Sequence, residues 1–361
     1  MKKLYLLTFL LVGYVTAWAQ YRENQTDMEK LLWNNEKLNI LFDTRVDLQN
    51  VINNNFPDEF SFKGQMVRIW LVGEIYPGIR YRIRHRLNKL QTPERDGYGA
   101  ATDHAWVSFD AGKRWTFTVG KQSVQIGTFE NDYNDADVYL GSMVYYTFDG
   151  SMTGVNTAFK PGKQEFNFQI TNSDAPVFAN ESHKYRAVAF NFMWAGRLFD
   201  DMIRTRWGYG TFQHDKDKFY NWLTLGTQLN LGDFTTELDY YEGTRQADYG
   251  DLVMADSLGF RYVHDQSISL NLKYNFGKLR PFLKGIWDKR YDKDFDDTAY
   301  RSLGIQAVVE YYPFTDSRLK DLRFHAAYIF KSTDYRGAFN QLPNTNVNTM
   351  LIGMRWIFKV K

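Results

Sequence analysis

The stretch SISLNLKYNF (267–276) reads as one strand with two different faces. Ile268, Leu270, Leu272, Tyr274 and Phe276 alternate with Ser267, Ser269, Asn271, Lys273 and Asn275. A period of two puts the apolar set on one side of a sheet and the polar set on the other. The pattern recurs in LNILFDTRVDL (38–48), where Leu38, Ile40, Phe42, Val46 and Leu48 oppose Asn39, Asp43, Arg45 and Asp47. It recurs again in WLTLGTQLNL (222–231) and in NTMLIGMRWIF (348–358). A soluble sandwich also alternates, but its strands average about five or six residues. Runs of ten or more fit a sheet with lipid on one side and water on the other.

Composition points the same way. The chain has 10 Trp, 24 Tyr, 28 Phe and only 8 Pro in 361 residues, which suits strands. Residues 1–19 read as a secretory signal peptide. Lys2 and Lys3 precede an apolar run from Leu4 to Val15, and Ala17-Trp18-Ala19 offers small residues for cleavage before Gln20. That run is too short to cross a hydrocarbon core of about 30 Å, and no later run reaches the length of a spanning helix. Losing Lys2 and Lys3 brings the 44 basic residues level with the 42 acidic ones. A balanced chain argues against nucleic acid as a partner. With no cysteine, a disulfide framework and a thiolate metal site are excluded. No cofactor is expected.

Residues 20–37 show no alternation and form an expected N-terminal periplasmic segment, with a short helix around Thr26 to Asn34 left open. The barrel is expected over 38–361. Short turns fall at Pro77-Gly78, Ala111-Gly112-Lys113, Pro161-Gly162-Lys163, Gly232-Asp233 and Gly277-Lys278. Longer polar connections cover 53–59, 89–101, 173–183, 243–265, 291–299 and 333–346, with a further outer loop near 212–218. Counting DVYLGSMVYYTF (137–148) as a strand gives seventeen, which puts the chain ends on opposite sides of the membrane. Single-chain bacterial barrels have an even number of strands. Residues 123–150 are therefore read as one long loop that folds inward. The expected fold is all-β, a 16-stranded antiparallel transmembrane β-barrel with short periplasmic turns and longer outer loops. Trp106 and Trp115, near the turn at Gly112, are expected in an interfacial aromatic girdle.

The segment GIRYRIRHRLNKL (78–90) places Arg80, Arg82, Arg84 and Arg86 on one face. Arginine on the lipid face costs roughly 2–4 kcal/mol at mid-depth, so this face is expected to line the lumen. A spacing of about 6.8 Å makes a ladder that passes an anion from one guanidinium to the next. Parity adds Arg45, Arg68, Arg204 and Arg206 as pore-lining, together with Lys273, Lys284, Arg323 and Arg355. It also turns Asp43, Asp47, Glu74, Glu165, Glu237, Asp239 and Glu310 inward, so ion pairing within the wall stands as the other reading. In the long loop, Glu130, Asp132, Asp135 and Asp137 face the ladder across a constriction, or else belong to a solvated outer loop. The acidic run RYDKDFDD (290–297) lacks the glycine and terminal glutamate of an EF-hand and reads as solvated. The six histidines form no HExxH, and no GxSxG or phosphate loop is present. His104, near Ser108 or Asp103, is the best of the poor enzymatic candidates, and no catalytic or metal-binding residue is assigned.

Five segments resemble the phosphate-selective porin O and P family in its Bacteroidetes form. They are VRIWLVGEI (67–75), YRIRHRLNK (81–89), FTVGKQSVQIGTFENDYN (117–134), EYYPF (310–314) and DLRFHAAYIF (321–330). The resemblance implies a sixteen-stranded trimeric porin of the outer membrane, with a basic lumen and an inward-folded third loop. Its implied partners are outer-membrane lipid and lipopolysaccharide, and small anionic or neutral solutes. The expected function is passive diffusion with a mild preference for anions, phosphate among them. A barrel enzyme and a structural or adhesive barrel without an open pore are the alternatives.

Overall fold

The computed structural model describes residues 36–89, 101–148, 150–248, 260–314 and 319–360. The expected signal peptide and nearly all of the segment 20–37 lie outside the described residues. Sixteen antiparallel strands, each paired with its sequence neighbours, close into one barrel where β1 meets β16. The strands β1 (Asn39–Asn53) and β2 (Glu59–Tyr76) have 15 and 18 residues. Six shorter strands follow: β3 (Ile79–Arg86), β4 (Thr102–Ala111), β5 (Trp115–Ser123), β6 (Ser151–Phe159), β7 (Gln164–Asn172) and β8 (Val188–Leu198). The remainder are long again: β9 (Ile203–Asp215), β10 (Lys218–Leu231), β11 (Phe234–Asp248), β12 (Phe260–Tyr274), β13 (Leu279–Asp292), β14 (Asp297–Tyr311), β15 (Leu322–Tyr335) and β16 (Thr345–Lys359).

Closure follows from the solvent. Inside lipid no water satisfies a free strand edge, so a sheet survives there only when every edge is paired. Burial alternates along most of the long strands. On β12, Ser267, Ser269 and Asn271 are buried while Ile268 and Leu270 are exposed. The exposed set is the lipid-facing wall and includes Leu238, Ile305, Val309, Tyr328 and Ile352. The buried polar set therefore faces inward. At the periplasmic end, five turns are closed by glycines at positive φ: Gly78, Gly112, Gly162, Gly232 and Gly277. Trp115 stands in the outer wall, stacked on Phe117 and tilted against Phe159.

Several outer connections are shorter than the sequence suggests. Pairing between β11 and β12 continues to Asp248↔Phe260, and β13 and β14 are paired out to Asp292↔Asp297. The connection between β9 and β10 is only residues 216–217. These strands run past the apolar belt, and above it polar residues such as Thr244, Gln246 and His264 stand outward while Ala247 and Val263 are buried inside. Alternation vanishes there although the hydrogen-bond ladder does not. Among the described residues of 124–150 there is no strand. They form 3-10 turns at Glu130–Asp132 and Asp135–Asp137 and a short helix at Met143–Thr147.

Candidate functional site in the charged lumen

Residues 124–150 run against the inner faces of strands on opposite sides of the barrel. The segment first lies flat on β9 and β10, where Thr128 N–H donates to the Arg206 carbonyl at 3.0 Å. Glycines make this approach possible: a Cβ at Gly226 would sit 2.6 Å from Thr128 Cα, and one at Gly208 would sit 2.7 Å from the Ile126 carbonyl carbon. Asp239 on β11 then accepts the N–H groups of Phe129 and Glu130 at 2.9 and 2.8 Å. Glu130 is buried, accepting from Lys284 Nζ at 2.5 Å, Ser142 N at 2.9 Å and Tyr241 Oη at 3.1 Å. Tyr133 reaches Glu237 and Lys273 on β11 and β12.

The segment then crosses to the other side. Asn134 donates to Asp43 at 2.7 Å, and Asp135 pairs with Arg68 of β2 and Arg86 of β3. Asp137 takes Arg323 at 2.6 Å and Arg355 at 2.7 Å. Burial alone would raise the Asp137 carboxyl, but Arg355 and Arg323 outweigh it and hold it below the usual carboxylate range. Arg45 donates to the carbonyls of Ala136 and Val138 at 3.1 Å, and its guanidinium lies 4.2 Å from the Tyr139 ring centroid. Behind it, Asp47 also accepts from His325 Nε2 at 2.8 Å across β16, where a side chain at Gly353 would collide with both groups.

Apolar residues seat the segment at two places. Val124, Ile126, Val144 and Phe148 pack with Phe178, Phe212, Tyr220, Trp222 and Tyr241. Tyr139 and Leu140 pack with Ile286, Val308, Ala327, Ile329 and Leu351 of the inner wall. Each large apolar side chain so buried contributes roughly 1.5–3 kcal/mol. The strand-like composition of 137–148 is thus that of a chain packed between inner walls.

Register sets Arg80, Arg82, Arg84 and Arg86 opposite Glu74, Val72, Trp70 and Arg68 on the inward face. All four are half-buried. Arg82 lies 5.6 Å from the Trp70 ring and 5.2 Å from that of Trp106. Trp106 is paired with Arg82 and shares its face, so it belongs to the lumen and not to the outer girdle. Arg80 donates to Asp110 at 2.7 Å. A register shift between β3 and β4 at Arg84/His85 brings Asp103 onto the ladder face. Its Oδ2 is 3.6 Å from Arg68, 3.4 Å from Arg84 and 3.6 Å from Arg86.

The eight arginines singled out from sequence therefore divide. Arg45 and Arg68 are almost fully buried clamps on the crossing segment, and Arg204 donates to Gln228 at 3.2 Å. Arg80, Arg86 and Arg206 keep 29%, 24% and 26% of their side chains exposed. Of the loop acids, Asp132 (paired with Arg206) and Asp135 stay 39% and 35% exposed, whereas Glu130 is sealed. His104 meets Ser123 Oγ at 3.0 Å, not Ser108, and Asp103 is engaged with arginines. The run 290–297 is not all solvated, since Asp292 is buried and pairs with Arg261 at 3.0 Å. Not singled out from sequence is a buried triad in which Asp265 joins Arg245 at 2.7 Å and Arg290 at 2.8 Å. Parity along β11, β12 and β13 was the signal that would have found it.

The sequence model of phosphate-selective porin O and P matches residues 37–193, the part that holds the ladder and the crossing segment. Over that stretch the chain resembles the phosphate-selective porin O and P family. No curated protein matches the chain. Among solved structures, the chain is similar to the outer membrane channel DcaP of Acinetobacter baumannii, with a TM-score of 0.62 at 11% identity. That match covers 89% of this chain and 97% of DcaP. The anion-selective porin from Comamonas acidovorans matches at 0.60 and 11% identity, covering 89% and 99%. The trimer form of OmpT from Vibrio cholerae matches at 0.57 and 11%, covering 90% and 100%. At such identities the likeness is one of fold. The protein is an outer-membrane porin.

Proposed function

We propose that this porin passes small hydrophilic solutes, anionic or neutral, by passive diffusion with a mild preference for anions. The observation that carries the reading is the unbroken inward row Arg80, Arg82, Arg84 and Arg86, each keeping some solvent contact while the more buried Arg45, Arg68, Arg323 and Arg355 are spent on the crossing segment. Fixed charge in a narrow lumen acts on a passing ion more strongly than at an open surface. Asp103, Asp110 and Asp135 offset part of that field, which keeps the preference mild and lets a bound anion leave. Residues 124–150 narrow the passage in this reading. A homotrimer is the proposed assembly, in line with the trimer form of the Vibrio cholerae protein.

The test is a salt gradient across a planar bilayer. The wild type should give a reversal potential of anionic sign, largest at low ionic strength where screening is weak. Arg82→Ala with Arg84→Ala should reduce it and leave the barrel folded. A cation-selective wild type, or a double variant of unchanged selectivity, would show the ladder to be neutralised wall structure.

A further inference from the structure

The outer wall carries a second charged feature that solute passage does not use. Lys289 on β13 and Arg301 on β14 are directly opposed in register. Both belong to the outward-facing set, because their inward neighbours Asp288, Arg290 and Ser302 are buried. Like charges opposed across two strands are destabilising unless an anion lies between them. The flanking acids in the same row are committed elsewhere. Asp334, opposite Arg301, is held by Arg336 at 2.6 Å, and Glu242 is held by His264 at 3.1 Å and Tyr240 at 2.5 Å.

Directly below the pair the wall turns apolar, with Trp287 opposite Leu303 and then Gly285 opposite Ile305. At Gly285 a side chain would meet nothing within 4 Å, so the surface is notched there. Lower still, an open concavity of about 820 Å³ is lined by Leu272, Leu283, Ala307, Val309, Ala326 and Ile352 among others. From Lys289 to Leu283 is six residues, about 20 Å along the strand. A phosphate-sized anion at the top and an apolar groove below it, on the same two strands, match the two ends of one lipid.

We propose that Lys289 and Arg301 bind the phosphate of an outer-leaflet lipid whose acyl chain descends past Trp287 and Gly285 into the groove at Ala307 and Ala326. The site lies on the lipid face and stands whether or not the pore prefers anions. Each cation near a membrane surface contributes on the order of 1 kcal/mol towards an anionic lipid, so the pair should give roughly a tenfold preference or more.

The experiment uses the full-length porin in phosphatidylcholine vesicles containing phosphatidic acid, with bromine on the chains of one lipid at a time to quench tryptophan. Quenching should report about tenfold tighter association of phosphatidic acid than of phosphatidylcholine. Lys289→Gln with Arg301→Gln should abolish the difference, and millimolar inorganic phosphate should leave it intact. Ala307→Phe with Ala326→Phe should weaken association of long-chain phosphatidic acid but not of its hexanoyl form. Equal affinity for the two lipids, a preference that survives the double Gln variant, or full competition by inorganic phosphate would overturn the headgroup site. Loss of both chain lengths alike in the double Phe variant would overturn the groove.

Discussion

Lys284→Met should release the crossing segment from its central anchor. Lys284 and Glu130 are 6% and 1% exposed, their charged atoms are 2.5 Å apart, and Lys284 also donates to the Leu140 carbonyl at 2.8 Å. Removing one member of a buried pair costs about 3–5 kcal/mol, because the partner stays desolvated. Glu130 keeps Ser142 and Tyr241 as donors, which points to the lower end, about 3 kcal/mol. That shifts the balance between seated and released segment by more than a hundredfold. Strand pairing is untouched, so the barrel itself stays folded. In single-channel recording the variant should show noisier current with excursions to higher conductance, and adding Glu130→Gln should restore quiet traces because no buried charge is then left alone. Quiet current in Lys284→Met, or noise that Glu130→Gln does not relieve, would refute the reasoning.

Gly226→Val should lift residues 126–129 from the wall, since the atom in the way is the Thr128 backbone, which cannot rotate aside. Limited proteolysis should then cut within 124–150 at protease concentrations that leave the wild type intact. The response of Asp135 and Asp137 to pH should be one-sided. Asp135 and Asp137 are held low because their arginines outweigh the upward pull of burial. Their anchoring is therefore complete above the ordinary aspartate range and is lost as pH falls through the depressed values. The rise in current noise that belongs to these two acids should come only below about pH 4; its persistence in Asp135→Asn with Asp137→Asn would contradict the assignment.

Fold and site were legible to different depths. In β12 the period of two is unbroken, so strand, face and solvent follow from residues 267–274 alone. Residues 137–148 imitate a strand because Tyr139, Leu140, Met143 and Val144 are buried against the inner wall, and only the parity of the whole barrel exposes the imitation. Apolar residues on the inner face were hidden for a related reason. Leu41, Trp70, Val72 and Ile357 sit in runs where both parities are apolar. The inward arginine row was readable from spacing, but not Asp103, because a one-residue register shift moves a side chain to the other face. Pairings such as Lys284 with Glu130 span 154 positions and depend on where the segment crosses, which no local pattern encodes.

The uneven wall height of the barrel bears on the membrane around it. The eight residues of β3 extend about 27 Å along the strand. With a tilt near 40° that is roughly 20 Å of bilayer normal, short of the apolar band of about 25 Å usual for such barrels. Strands of 13 to 15 residues on the other side exceed it. Lipid beside β3 and β5 to β7 is therefore compressed while lipid beside β9 to β16 is not, at a cost of fractions of a kcal/mol per Å of mismatch. Two barrels that turn their short sides together share one compressed zone in place of two, so membrane elasticity alone gives neighbouring copies a preferred orientation.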